Sequence, residues 1–160
     1  MPTFAISGMI GVNLTKTSAS PLFATGTVVD LSDGGKAMYV QAVSEISTYC
    51  AVGVFSNGTA QMLTTTVAGT TKRIGFAQVS IASAYYGWVQ LSGRPVVKLA
   101  ANCADQVILF TTATAGVLDD ATVSECLVAG VTSDVTISNA TAITCNVPIG
   151  AYIHPYANPA

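Results

Sequence analysis

The sequence predicts an all-β fold, a single β-sandwich or barrel-like domain with extended N- and C-terminal arms. Three observations predict it. Turn signals rich in Gly, Asn, Asp and Ser recur about every ten residues through the middle of the chain. β-branched and aromatic residues crowd residues 74–99 (IGFAQVSIASAYYGWVQLSGRPVVKL), which hold the only tryptophan and two of the six tyrosines. Helical periods are scarce throughout. At 160 residues one domain is the natural expectation, long enough to bury about two thirds of its unfolded surface.

Residues 1–26 read as an N-terminal arm, 27–153 as the β domain and 154–160 as an extended C-terminal tail. Residues 1–23 mix small apolar residues with Gly8, Gly11, Thr15, Thr17, Ser18, Ser20 and Pro21 and hold neither a helical nor a strand period for long. From Thr27 the strand TVVDL meets Ser32-Asp33-Gly34-Gly35 and returns as KAMYVQAV, a first hairpin whose glycines accept positive φ. Residues 44–49 are expected to form one short helical turn capped by Ser44. Residues 51–55 and 60–63 flank Ser56-Asn57-Gly58, and an Asn-Gly pair between apolar runs is a strong hairpin signal.

Residues 64–71 read as a Thr/Gly/Ala connection, and residues 73–79 open the central stretch as a strand. Ser92-Gly93 is expected to turn a further hairpin between residues 86–91 and 96–99. The wholly apolar run Val107-Ile108-Leu109-Phe110 reads as a strand covered on both faces. Ala115-Gly116 and Asp119-Asp120 mark turns, residues 127–131 a strand, and residues 142–147 with 149–153 close the domain. Pro155 and Pro159 favour an extended end.

Composition narrows the function classes. Only 9% of residues are charged, against about 25% in ordinary soluble domains, and a net charge of -2 gives little self-repulsion to oppose association. Self-assembly or a permanent partner is therefore expected. Mean hydropathy is +0.56, yet no window of about 18 residues lacks Ser, Thr, Asn or a charge, so no membrane-spanning helix is expected. The start lacks a basic region followed by an apolar run and is read as mature sequence without a secretory signal. Lys16, Lys36, Lys72, Arg73, Arg94 and Lys98 are too few and too scattered to neutralise many phosphates, which argues against nucleic acid as a partner. Cys50, Cys103, Cys126 and Cys145 show no C-x-x-C spacing and sit beside apolar or small residues. They read as four reduced core thiols rather than as a disulfide framework or metal ligands.

Catalytic constellations are scarce. His154, the only histidine, stands next to Pro155, and no G-x-S-x-G turn occurs, so a Ser-His-Asp arrangement is not expected and His154 reads as a surface or interface residue. Asp119-Asp120 followed by Glu125 is the densest acidic cluster. It lacks calcium-loop spacing and reads as a turn rather than a cation site or a glycosidase pair. Gly34-Gly35-Lys36 lacks the upstream glycine and the following Ser/Thr of a phosphate loop. Three N-x-T triplets, at Asn13, Asn57 and Asn139, are common by chance in a Thr-rich chain. Tyr85-Tyr86-Gly87-Trp88 could offer an aromatic platform to sugars or pack in the core. No enzyme activity, cofactor, metal or small-molecule substrate is expected.

The layout of residues 27–132 resembles the small capsid cement or decoration proteins of tailed bacteriophages. The resemblance rests on the runs YVQAVSEISTYCAVGV, RIGFAQVSIASAYYGWVQLSGRPVVKLAANCADQVILFTTATAGVLDD and LVAGVTS. In such proteins a G-W-V-x-L strand and turn precedes a T-x-x-x-G-x-L element ending in Asp, then a strand of the form v-x-G-V. Here these are Gly87-Trp88-Val89-Gln90-Leu91, residues 112–119 as TATAGVLD, and residues 128–131 as VAGV. They are packing and turn patterns, so no functional residue is carried over from them. The resemblance implies a β-rich, often trimeric structural virion protein, made in the host cytoplasm and bound to the outer capsid surface. There it would brace neighbouring major capsid protein subunits and stabilise the head. The alternative is a carbohydrate-binding or adhesion β module on a virion or other assembly. Candidate interface residues are Phe4, Ile6, Leu14, Lys16, Leu22 and Phe23 in the arm, Tyr85 and Arg94 in the domain, and His154 and Tyr156 at the tail.

Overall fold

A computed structural model describes residues 12–71, 73–121 and 126–154. Among the described residues strands hold 43% and helix 3%, so the all-β expectation is met. In the first half lie β1 (Thr17–Ser18), β2 (Val28–Asp30), β3 (Lys36–Ala42), β4 (Ala51–Val54), β5 (Thr59–Met62), the short helix α1 (Thr65–Ala68), β6 (Arg73–Ala77) and β7 (Tyr86–Gln90). In the second lie β8 (Val96–Leu99), β9 (Leu109–Thr111), β10 (Leu118–Asp119), β11 (Leu127–Ala129), β12 (Thr132–Ser133), β13 (Thr141–Asn146) and β14 (Tyr152–His154).

Five of these strands close into a barrel in the order β3-β5-β4-β6-β7, with β7 returning to β3. Only the β3–β5 contact in the ring is parallel. The interior is narrow because the strands are few, and small side chains fill it: Val40, Ala42, Val52, Val54, Ala60, Ala77 and Val89, with Met38, Ile46 and Ile81. Gly75 belongs to this economy of space, since a Cβ there would lie 3.0 Å from a Val89 methyl.

Period-two alternation sends the other side chains of the same strands outward into two further cores. On β4 and β6, Ala51, Ile74 and Phe76 join Val97, Leu99, Leu109, Leu118, Val128, Val147 and Ile153 of the C-terminal strands. On β3 and β7, Tyr39 and Trp88 join Val12, Leu14, Val29 and Leu31. The C-terminal strands extend from the barrel through β6–β14 pairing and continue β14-β11-β9-β10-β8-β13-β12.

Two hairpins stand where their turn residues place them: β2–β3 across Gly34, and β4–β5 across Gly58. Asn57 helps shape the second, its side-chain oxygen accepting from the Thr59 N–H and hydroxyl. Elsewhere the chain departs from expectation. Residues 44–49 form no helical turn; Ile46, fully buried, exchanges two backbone hydrogen bonds with Ile81 in an isolated bridge across one end of the barrel. The one helix among the described residues lies instead in the 64–71 connection, where the Thr64 hydroxyl caps it by accepting from the Val67 N–H.

Ser92-Gly93 does not turn a hairpin either. β7 pairs with β1, β3 and β6, whereas β8 pairs with β10 and β13. Asp33 explains the divergence. Its carboxylate accepts from the Gly35 N–H at 2.9 Å, from Gln90 Nε2 at 3.1 Å and from the Arg94 N–H at 3.3 Å. Gly93 pairs with Val147 instead of folding back. The first turn thus holds the chain as it leaves the barrel for the second sheet. Asp33→Ala is expected to cost about 1.5–3 kcal/mol, as for hydrogen bonds to a charged group, read as a lowered urea midpoint with an unchanged slope.

The N-terminal segment is packed on its own domain from Val12 onward. Val12 and Leu14 are buried against Tyr39 and Trp88, and β1 pairs with β7. Phe23 stands edge-on to Tyr39 and to Trp88, at 5.3 Å from each ring. Residues 1–11 lie outside the described residues.

Candidate interaction surface

The sheet β6-β14-β11-β9 buries one face in the C-terminal core through Ile74, Ile153, Val128 and Leu109. Antiparallel partners point to the same side of a sheet, so the register decides what the opposite face presents. Arg73 stands opposite Tyr152, and Tyr152 opposite Ala129; Phe110 stands opposite Leu127, and Leu127 opposite His154. Beyond Ala129, Ile108 borders a groove of about 290 Å³ lined also by Gln106, Leu127 and Thr132. Ile108 is 61% exposed and Tyr152 47%, and the Tyr152 ring meets His154 edge-on at 6.3 Å.

Arg73 sits where this outer face meets the barrel mouth. Its Nη1 donates to Met38 Sδ at 3.6 Å. Beside it opens a pocket of about 350 Å³ lined by Val54, Phe55, Ser56 and Thr71. Lys36 and Arg94 are already paired, with Asp30 and Asp134, whereas Arg73 makes no ion pair among the described residues.

The candidate residues read from the sequence fall in separate places. Lys16, Leu22 and Phe23 come together around a small pocket over Tyr39 and Trp88. Leu14 is buried beneath that segment. Tyr85 is exposed next to β7, and Arg94 lies at the junction of barrel and C-terminal sheet. His154 alone lies on the face built around Tyr152. Phe4, Ile6 and Tyr156 lie outside the described residues. Sequence reasoning missed Tyr152 and misplaced Ile108, which faces outward rather than deep. The alternation Tyr152-Ile153-His154, exposed-buried-exposed, was the available signal for this face.

Of the aromatic stretch, Trp88 is 3% exposed and Tyr86 half-buried. Core packing is what it does, and only Tyr85 is left to meet a sugar. The cysteines are buried and unpaired as expected. Burial pushes the Cys103 thiol up to about 11 and the Cys145 thiol up to about 12, so both stay protonated and poorly nucleophilic near neutral pH.

Cys103, Asp119 and Asp120 bring donor atoms within 4.8 Å of one another. Backbone groups already use the carboxylates: Asp119 accepts from the Asp120 N–H at 2.8 Å and Asp120 from the Ala104 N–H at 2.9 Å. Asp119 ends β10 rather than standing in a turn, and Asp120 follows it in a bend, so the two carboxylates brace the backbone where the strand stops; Glu125 lies outside the described residues. Burial, with Asp120 beside it, raises the Asp119 carboxyl above its ordinary 3.8. A raised carboxyl binds its proton more tightly folded than unfolded, so its contribution to stability falls as pH rises from the ordinary value through the folded one. Asp119→Asn keeps an acceptor oxygen and removes the charge. The variant is expected to be the more stable protein at neutral pH and to lose this pH dependence, measured as melting temperature against pH from 3 to 7.

No protein-family model and no curated protein sequence matches the chain.

Proposed function

We propose that this chain is a structural virion protein of a tailed bacteriophage that binds the outer surface of the capsid as a homotrimer and cements neighbouring major capsid protein subunits. It performs no turnover; its work is adhesion. The observation that supports this best is a closed five-stranded barrel continued by a C-terminal sheet whose outward face exposes Ile108 and Tyr152 on either side of the half-buried Leu127 and Ala129. Large exposed apolar side chains on one face of a sheet mark a surface suited to another protein. The likeness of residues 27–132 to phage decoration proteins supports the same role, as does the low charge of the chain.

The physical mechanism is stapling. Three linked copies on three equivalent sites gain avidity of about 10²- to 10⁴-fold over one contact when all engage together, so each contact can be weak. A protein that binds only the assembled shell stabilises that shell by mass action. The test is co-sedimentation of purified protein with phage particles stripped of external proteins, followed by a heat challenge. Saturable binding and a higher temperature of genome release are expected. No binding at micromolar protein would contradict the role.

A further inference from the structure

We infer that Asn57 is a latent modification site: the closed barrel shields its amide from deamidation, opening of the β4–β5 hairpin exposes it, and the isoaspartate then formed keeps the barrel from reclosing as before. Asn57-Gly58 is the only Asn-Gly pair in the chain. In such a pair the glycine nitrogen, with no Cβ beside it, is free to attack the asparagine side chain. A bond forms between Gly58 N and Asn57 Cγ, the Cγ–Nδ2 bond breaks, and ammonia leaves with the proton that Gly58 N gives up. Water then opens the resulting ring at either of its carbonyl carbons. Opening at Cγ gives aspartate in an unchanged main chain. Opening at the main-chain carbon gives isoaspartate, whose main chain runs through Cβ and is longer by a methylene.

The turn opposes the first step. The Gly58 N–H donates to the Phe55 carbonyl at 3.0 Å, and neither Ser56 nor Asn57 has a positive φ. Residues 55–58 therefore form a type I turn, with Asn57 in its third place at a ψ of about 0°. At that angle the Gly58 nitrogen is rotated away from the Asn57 Cβ by about a third of a turn, so the ring cannot close. The side chain is held too, its Oδ1 accepting from the Thr59 N–H at 3.1 Å and the Thr59 hydroxyl at 2.7 Å. Asn57 is exposed, so conformation rather than burial protects it. Rotating ψ breaks the bond to Phe55 and displaces the Gly58 carbonyl, which accepts from the Gln41 N–H at 3.1 Å where β5 begins its parallel pairing with β3. Attack thus requires the parallel seam of the barrel to open. The seam has no room for a longer main chain, since even a Cβ on Gly58 would stand 2.7 Å from Thr25 Cβ.

The test follows the mass of the proteolytic fragment carrying Asn57, which gains about 1 Da on deamidation, in mildly alkaline buffer with and without urea. Folded wild type is expected to deamidate at least about tenfold more slowly than the unfolded chain, because reaction waits on local opening. Thr59→Val removes the hydroxyl bond and keeps the β-branch. It should deamidate about three- to tenfold faster than wild type when folded, and like wild type in urea. Trp88 fluorescence verifies that the variant is folded. Chains that have reacted in urea are then separated into aspartate and isoaspartate forms and refolded. The aspartate form should recover a nearly wild-type urea midpoint, and the isoaspartate form a clearly lower one. Equal rates with and without urea, or an unchanged rate in folded Thr59→Val, would overturn the shielding. An isoaspartate form as stable as wild type would overturn the claim that the lesion disturbs the seam.

Discussion

Phe76→Ala is expected to lower the unfolding free energy by about 3–5 kcal/mol, among the largest losses open to a single side chain here. Phe76 is fully buried on β6, the strand that joins the barrel to the C-terminal sheet. Its neighbours across the ladder are Ala51 on β4 and Gln90 on β7, both fixed by the closed ring. Backbone on two sides cannot collapse into the space the ring vacates, so the cavity persists and its cost adds to the lost burial. Phe76→Leu, which refills most of that space, should cost about 1.5 kcal/mol or less. Urea unfolding followed by the fluorescence of Trp88 measures both. A loss under about 1.5 kcal/mol for the alanine variant would mean that barrel and sheet are not packed through this residue.

Gly116→Ala is the second large effect, expected at about 2–5 kcal/mol from two separate causes. Gly116 has φ +76, a conformation that costs an L-residue roughly 1–2 kcal/mol. A Cβ there would also stand 2.4 Å from Cys50 Cβ, and relieving such an overlap typically costs about 1–3 kcal/mol. The backbone cannot step aside, because the Gly116 N–H donates to the Leu63 carbonyl and the Gly116 carbonyl accepts from the Ala51 N–H. Gly34→Ala separates the causes: Gly34 has φ +80 but nothing within 4 Å of its missing Cβ, so only the conformational cost of about 1–2 kcal/mol should appear. Equal losses at the two positions in parallel thermal melts would contradict the close packing of Gly116 on Cys50.

What was legible in the sequence was local. Asn57-Gly58 and Gly34-Gly35 announced two hairpins because the turn residues and the strands they join are neighbours in the chain. The closure of the barrel depends on β7 meeting both β3 and β6, pairings for which no short window carries a signal. Ser92-Gly93 looked like a third hairpin for the same local reasons. Asp33, far away in the chain, turns the backbone out of the barrel there. Ile108 misled because a continuous apolar run does not say which member lies outside, and only the register of β9 against β11 does. Leu14 looked available to a partner because its apolar neighbours, Tyr39 and Trp88, come from distant strands. The face around Tyr152 was hidden in the same way, since Arg73, Ala129 and Tyr152 become a row only through pairing between β6, β14 and β11.

Image reconstruction of stripped particles incubated with saturating protein tests the central claim most directly. The account predicts regular density on the outer capsid surface, three copies to a site, into which the barrel fits. Bare capsids under those conditions, or regular density into which the barrel does not fit, would contradict it.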